Sequence, residues 1–414
     1  MDQREEGYCL VLGGGGAKGV YHIGVWRALR ELGVRVDAFI GASIGAIIAG
    51  FLAQGSDESL EEIGRSITVD TILDLPDELT ENGEVKLDLD SLSNIRELFH
   101  KIMDNKGLDT SPLRTTLIDR LDEAAIRAGG KDLGIVTVNV SDLEPREVFI
   151  EDMEGGKLID YLMASAAFPG FEQTKIAGKK YVDGGIYDNI PYAMARRRGY
   201  RRIIVSDISG AGRNRRAQVE GSQTVYIKNS IDMGGVLDFD RGFLDAFNLL
   251  GYLDTMRVFG RYAGYSYFLE PNPAAEADFA ARGPANLPPF PERMRHERRR
   301  LLASLECAAS ALCVERVRAY SYEDLEKAIA EARRGADERL AGVRAGARGR
   351  IRDLGPALRE AIRKGLLDEC PYYYYRLVSE AFPKTAASLL ERTLVGLHPE
   401  LPAGLAWLDS DRAE

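Results

Sequence analysis

The chain has 414 residues, of which 45% are hydrophobic and 29% charged, the balance of a globular protein rather than a disordered or fibrous one. Its 54 Lys/Arg against 64 Asp/Glu give a net charge of −10, so generic nucleic-acid binding has no electrostatic support. At ~100–200 residues per domain the length accommodates two or three domains. The longest apolar run, Ile44–Ala53, is broken by Gly50 and falls well short of the ~20 residues a bilayer span needs. The first strand follows a charged, acidic start, Met1 to Glu6, which lacks the basic end and apolar helix of a secretory signal. The four cysteines, Cys9, Cys307, Cys313 and Cys370, have no metal-like spacing, and reduced thiols in a cytoplasmic protein are the expectation.

Tyr8–Leu12 reads as a short apolar strand ending in the glycine run Gly13–Gly16. A helix is predicted from about Lys18 to Leu32, since Ile23, Trp26 and Leu29 recur at helical spacing, and Gly33 stops it. A second strand over Val36–Ile40 leads through a glycine-flanked turn into Ile44–Ala53, a helix buried on most sides. Alternation of strand and helix at this spacing predicts a mostly parallel α/β sheet covered by helices. Residues 56–121 are polar and helix-like, broken at Pro76, Asn82-Gly83 and Pro112, and read as an inserted helical layer or lid. Further strands are expected at Ile135–Val140, Arg146–Ile150, Lys180–Val182, Arg202–Ser206 and Thr224–Ile227. The six prolines between Pro271 and Pro291 suggest a linker, which places a first domain at 1–270 and a helical C-terminal region at 292–414.

Three segments carry the chemistry. Gly14-Gly15-Gly16-Ala17-Lys18-Gly19 joins a strand to a helix, leaving uncovered backbone N–H groups near a helix N-terminus, which suit a phosphate or an oxyanion. Gly41-Ala42-Ser43-Ile44-Gly45 is a GxSxG sequence at a strand-to-helix turn, the context of a nucleophile elbow. Asp183-Gly184-Gly185 ends a short strand and sets a carboxylate 140 residues beyond Ser43. An alternative remains: Gly14-x-Gly16-x-x-Gly19 with Asp37 also fits a dinucleotide fingerprint, which would imply an NAD(P)-binding oxidoreductase. A serine elbow directly after the second strand speaks against it. A Walker A loop fails because Gly19, not Ser or Thr, follows Lys18.

The order GGGAKG (14–19), GASIG (41–45), DGG (183–185) resembles that of the patatin-like phospholipases. The flanking text HIGVWRALRELG, ASAAFPGF and DGGIYDNIP is similar too, and the resemblance runs from about Gly7 to Ile208. It implies an α/β fold with helical layers and a Ser-Asp dyad without cofactor or metal. Ser43 would be the nucleophile, Asp183 the base, and the N–H groups of Gly14, Gly15 and Gly16 the oxyanion hole. Lys18, Gly19, Gly41, Gly45, Gly184 and Gly185 would support them. Lys18 stands where the family usually has Arg, keeping the charge but losing the guanidinium fork. The four histidines, His22, His100, His296 and His398, independently disfavour a Ser-His-Asp triad, since none sits at a strand end before a glycine loop. The implied activity is hydrolysis of carboxylic esters of phospholipids or related acylglycerols, with a lipid substrate met at a membrane surface. Alternatives are a thioesterase or lipid acyltransferase using the same dyad, and a catalytically silent lipid-binding protein. Ser165 reads as a packing residue, His22 as a helix residue satisfied locally, and Asp188 and Asn189 as turn residues bracing the loop of Asp183. The basic run Arg293–Arg300 reads as a solvated face, and Tyr372–Tyr375 as packing in the C-terminal helices.

Overall fold

The computed structural model describes residues 7–73, 80–81, 84–85, 108–210, 212–215, 219–232, 234–236, 238–283, 287–346, 370–381 and 384–410. Much of the expected insert, including Pro76, Asn82-Gly83 and His100, lies outside the described residues. The chain forms two compact units, Met1–Val258 and Phe259–Glu414.

The first unit is built on an eight-stranded sheet. Its strands are β1 (Tyr8–Leu12), β2 (Val36–Ala42), β3 (Asp132–Asn139), β4 (Glu144–Phe149), β5 (Lys175–Ile176), β6 (Lys179–Asp183), β7 (Arg202–Asp207) and β8 (Gln223–Lys228). The run β8-β7-β1-β2-β3 is parallel throughout. Strands β4 and β6 pair antiparallel with β3, and β5 pairs antiparallel with β6. The central strands are mostly apolar because both faces are covered. On one face Cys9, Val11, Ala38, Ile40, Ala42, Ile203 and Val205 alternate inward onto Tyr192 and Met194 of a helix over Tyr192–Arg198. Leu10, Leu12 and Phe39, pointing the other way, are equally buried. Helix α1 (Val20–Glu31) packs there along a helix over Arg241–Val258, with the Tyr21 and Phe247 ring centroids 5.3 Å apart.

Strand register decides where the site lies. Residues Gly134–Asn139 of β3 pair with β4 along one edge. The other edge is shared end to end: Ala42 of β2 pairs with Val136, and Asp183 of β6 pairs with Thr137. Because β2 is parallel and β6 antiparallel to β3, the two strands meet head-on by their C-terminal ends. Ser43 and Asp183, 140 residues apart in sequence, are thereby forced together.

The second unit is helical, with a main core that includes Tyr267, Leu305, Tyr320, Leu325, Tyr372 and Leu401 and a smaller cluster of Met294, Ala303, Cys307 and Ala403. Two short strands, Phe268–Leu269 and Ala319–Tyr320, pair in parallel within it. Tyr372 and Tyr374 are buried in this core with Tyr373 and Tyr375 packed against it, and the Tyr372 hydroxyl donates to Asp337 Oδ1 at 2.9 Å. The boundary differs from the sequence expectation. The units divide after Val258, and Pro271–Pro291 is not a free linker. Asn272 caps a helix over Pro273–Arg282, which packs Ala275 and Phe279 onto the second unit's core. Proline at the first helical turn starts a helix rather than preventing one. Among the described residues, no helix is long and apolar enough to cross a membrane.

Candidate active site

Ser43 stands between β2 and helix α2 (Ile44–Gln54) with φ 54° and ψ −129°, a conformation that costs a non-glycine residue ~1–3 kcal/mol. The turn is tight enough that its two glycines touch. A Cβ on Gly41 would strike the carbonyl of Gly45, and one on Gly45 would lie 2.7 Å from the Gly13 oxygen. The serine backbone is fixed from behind: its N–H donates to Ser165 Oγ at 3.0 Å, and Ser165 in turn donates to the Val136 carbonyl at 2.6 Å. The Ser43 hydroxyl donates to Asp183 Oδ2 at 2.6 Å.

Asp183 is 4% exposed. Its second oxygen accepts the Gly185 N–H at 2.7 Å, so Gly184-Gly185 turn the backbone back onto the carboxylate. Burial pushes its pKa up to about 6, partly opposed by the bonds from Ser43 and Gly185 that favour the anion. A carboxylate so raised is ionised at neutral pH yet basic enough to take a proton from a hydroxyl it already touches.

The glycine loop lies over the serine. A Cβ on Gly14 would run into Asn189 Oδ1 and stand 3.0 Å from Ser43 Cβ. The Gly14 N–H, however, is already given to the Asn189 carbonyl at 3.1 Å, and the Gly13 N–H to Ser206 O at 3.0 Å. That corrects the expectation that Gly14 supplies an oxyanion donor. The N–H groups of Gly15 and Gly16 have no acceptor among the described residues. Lys18 is buried, its ammonium 3.6 Å from the exposed carboxylate of Asp232, and Gly19 packs under Ile44.

From Ser43 a channel runs into the unit, lined mostly by apolar side chains. Three helices each contribute one face at helical spacing. Helix α2 gives Ile44, Ile47, Ile48 and Phe51; helix α3 (Asp57–Ser66) with the residue after it gives Leu60, Ile63, Gly64 and Ile67. Helix α4 (Ser111–Arg120) gives Leu113, Thr116 and Leu117. Gly15, Gly16 and Asp183 also border this space, beside Ser43.

Residues 10–196 match the family model described as patatin-like phospholipase. This span is a patatin-like phospholipase domain. A patatin-like phospholipase domain-containing protein of Caenorhabditis elegans is 30% identical over 208 residues, 48% of this chain but 13% of that one. An uncharacterised NTE family protein of Mycobacterium bovis is 28% identical over 185 residues, 44% of each chain. Lysophospholipase NTE1 of Cryptococcus neoformans is 51% identical over 57 residues, 14% of this chain and 4% of that one. The chain therefore spans less than half the length of each of these relatives.

Within the patatin-like domain, Ser165, read as packing, Asn189, read as bracing the Asp183 loop, and His22, read as satisfied locally, hold the site together. Ser165 fixes the Ser43 backbone as described. Asn189 donates from Nδ2 to the Gly14 carbonyl at 3.2 Å, tying the loop of Asp183 to the glycine loop. His22 is fully buried, with Nε2 2.8 Å from the Gly13 carbonyl and Nδ1 2.7 Å from Ser206 Oγ. A carbonyl only accepts, so Nε2 carries the proton and Nδ1 takes the serine hydroxyl. Burial lowers the His22 pKa to about 4, which keeps the ring neutral. Asp188, also buried, is raised by burial to about 6. Asp37, the acid of the dinucleotide alternative, sits at the start of β2, at the opposite end from the glycine loop. There it accepts the Gly7 N–H at 2.9 Å and Arg35 Nε at 2.8 Å. His296 and His398 belong to the second unit, and the basic run there is paired through Arg293–Glu400, Arg295–Glu292 and Arg299–Glu297.

Proposed function

We propose that the chain hydrolyses carboxylic esters of lipids, namely phospholipids, lysophospholipids or related acylglycerols, through a Ser43–Asp183 dyad. The observation that carries this reading is the 2.6 Å bond from Ser43 Oγ to Asp183 Oδ2 at the mouth of the apolar channel. The acyl chain enters the channel and its ester carbonyl stops over Ser43. As Oγ attacks the carbonyl carbon, its proton passes to Asp183. The Gly15 and Gly16 N–H groups receive the oxyanion, an interaction worth ~3–4 kcal/mol per well-placed donor. The C–O bond to the leaving alcohol breaks as Asp183 returns the proton to it, leaving an acyl-serine. Water then attacks the acyl carbon while giving a proton to Asp183, and that proton returns to Ser43 as the fatty acid departs. Lysophospholipids are included because a fungal relative is named for them. The lipid would be met at a membrane surface by a cytoplasmic protein.

The test is labelling of wild type, Ser43→Ala and Asp183→Asn with a serine-reactive fluorophosphonate, together with fatty-acid release from a lipid panel. Both signals should vanish in both variants. Activity that survives in Asp183→Asn but disappears on changing His296 or His398 would replace the dyad with a triad.

A further inference from the structure

The channel is not equally open along its length. Near the mouth, Ser43, Ile44, Ile67 and Leu113 are partly exposed. At the other end Phe51, Leu60 and Leu117 are 1%, 2% and 1% exposed. Gly55 turns the chain left-handed after α2, so α3 folds back alongside it. Leu60 and Ile67 of this stretch line the same space as Phe51 and Ile44. Next to Phe51 the helix is closely packed at Gly50, where the Leu162 and Leu121 side chains reach to within 3.5 and 3.7 Å of where a Cβ would stand. The lining is thus partly exposed at the serine and fully buried at Phe51.

Its length follows from the helix that floors it. Seven residues separate Ile44 from Phe51, an advance of about 10 Å at ~1.5 Å per residue. An extended chain advances roughly 1.2 Å per atom, judged from ~3.6 Å per three-atom peptide unit, so about eight to ten carbons fill that distance. We infer that the channel measures acyl chains of medium length, with Phe51 as its end stop, a reading that rests on the ester-hydrolase proposal above. A longer chain has its terminal carbons held back at the mouth, which displaces the ester from Ser43.

The experiment measures kcat/KM for p-nitrophenyl esters from butyrate to palmitate with wild type, Phe51→Ala and Ile47→Phe. A second arm measures binding of the corresponding free fatty acids to Ser43→Ala protein by thermal shift. Wild type should peak near octanoate to decanoate and fall about tenfold or more by palmitate. Phe51→Ala should move the optimum to longer esters, and Ile47→Phe, which fills the middle of the channel, should move it to hexanoate or shorter. If Phe51→Ala does not fold, Ile47→Phe and the binding arm decide the matter. A wild-type profile still rising at palmitate, or an optimum unmoved by Ile47→Phe, overturns the inference. Fatty-acid binding that peaks at medium length without hydrolysis of any ester leaves the channel assignment standing and removes the hydrolase proposal instead.

Discussion

Replacing Asp183 by Asn should make the protein inactive and, at alkaline pH, more stable. The amide is close in shape to the carboxylate: its oxygen can keep the 2.7 Å bond from Gly185, and its NH₂ can face Ser43 but cannot take the serine proton. Loss of a general base should lower kcat/KM by about 10²–10⁴-fold. The stability term follows from the raised pKa. A carboxyl moved by burial from 3.8 to about 6 costs the ionised folded state about 3 kcal/mol, at ~1.36 kcal/mol per pK unit. Below pH 3.8 the group is neutral in both states and costs nothing; above about pH 6 the full cost is present. Asn carries no charge at any pH, so its advantage should be up to about 3 kcal/mol at pH 8 and vanish toward pH 4. Urea unfolding at several pH values, beside hydrolysis of a fluorogenic ester, measures both. A variant less stable than wild type at pH 8, an advantage independent of pH, or activity within a few-fold of wild type would refute the reasoning.

Other outcomes follow from the same contacts. Because Asp183 must be ionised to act as base, kcat/KM should fall on the acid side with an apparent pKa of about 6, measurable as a pH–rate profile on a non-titrating ester. Ser165→Ala removes the acceptor of the Ser43 N–H and the donor to Val136 O. It should cost about 1–3 kcal/mol for each buried group left unpaired and lower kcat more than it raises KM, read from urea unfolding and steady-state kinetics. Gly14→Ala should abolish fluorophosphonate labelling of Ser43, since the new methyl group would occupy the place of the Asn189 carboxamide over the serine.

The sheet was legible because its strands are apolar runs bounded by glycine and charge. Val36–Ile40 and Arg202–Ser206 were expected where Val36–Ala42 and Arg202–Asp207 are found. The helix over Arg241–Val258 was missed because its hydrophobic residues are interrupted by Asp245, Asn248 and Asp254, and the last of these is buried with Tyr21, Arg257 and the Ser230 N–H bonded to it. The Pro271–Pro291 stretch misled because proline marks both loops and helix starts. In the site, Ser43 and Asp183 were visible through their glycines, which record close backbone approach. The distant partners of His22, Ser165 and Asn189 were invisible, since Ser206, Ser43 and Gly14 respectively lie more than 100 positions away. The donors of the glycine loop were equally hidden, because only tertiary contact shows that Asn189 has taken the Gly14 N–H.

The buried groups His22 and Asp183 work against each other in the same pH range, and this gives a sharper test than either alone. His22 has a folded pKa of about 4, below its ordinary 6.5. The stability it contributes is present above pH 6.5 and lost as the pH falls toward 4, about 3 kcal/mol in full. Asp183 has the opposite sign, its cost being relieved as the pH falls from about 6 toward 3.8. In wild type the two terms largely cancel, and Asp188, also raised to about 6, adds to the Asp183 side. Subtracting the wild-type curve from that of each variant isolates one group, because everything else titrates alike in both. The Asp183→Asn difference should shrink as the pH falls. His22→Gln, whose NH₂ can still donate to the Gly13 carbonyl, should lose stability relative to wild type at pH 7 and regain it toward pH 4. Difference curves that move in the same direction would mean that His22 enters the folded state charged, and the neutral clamp on Gly13 would then be wrong.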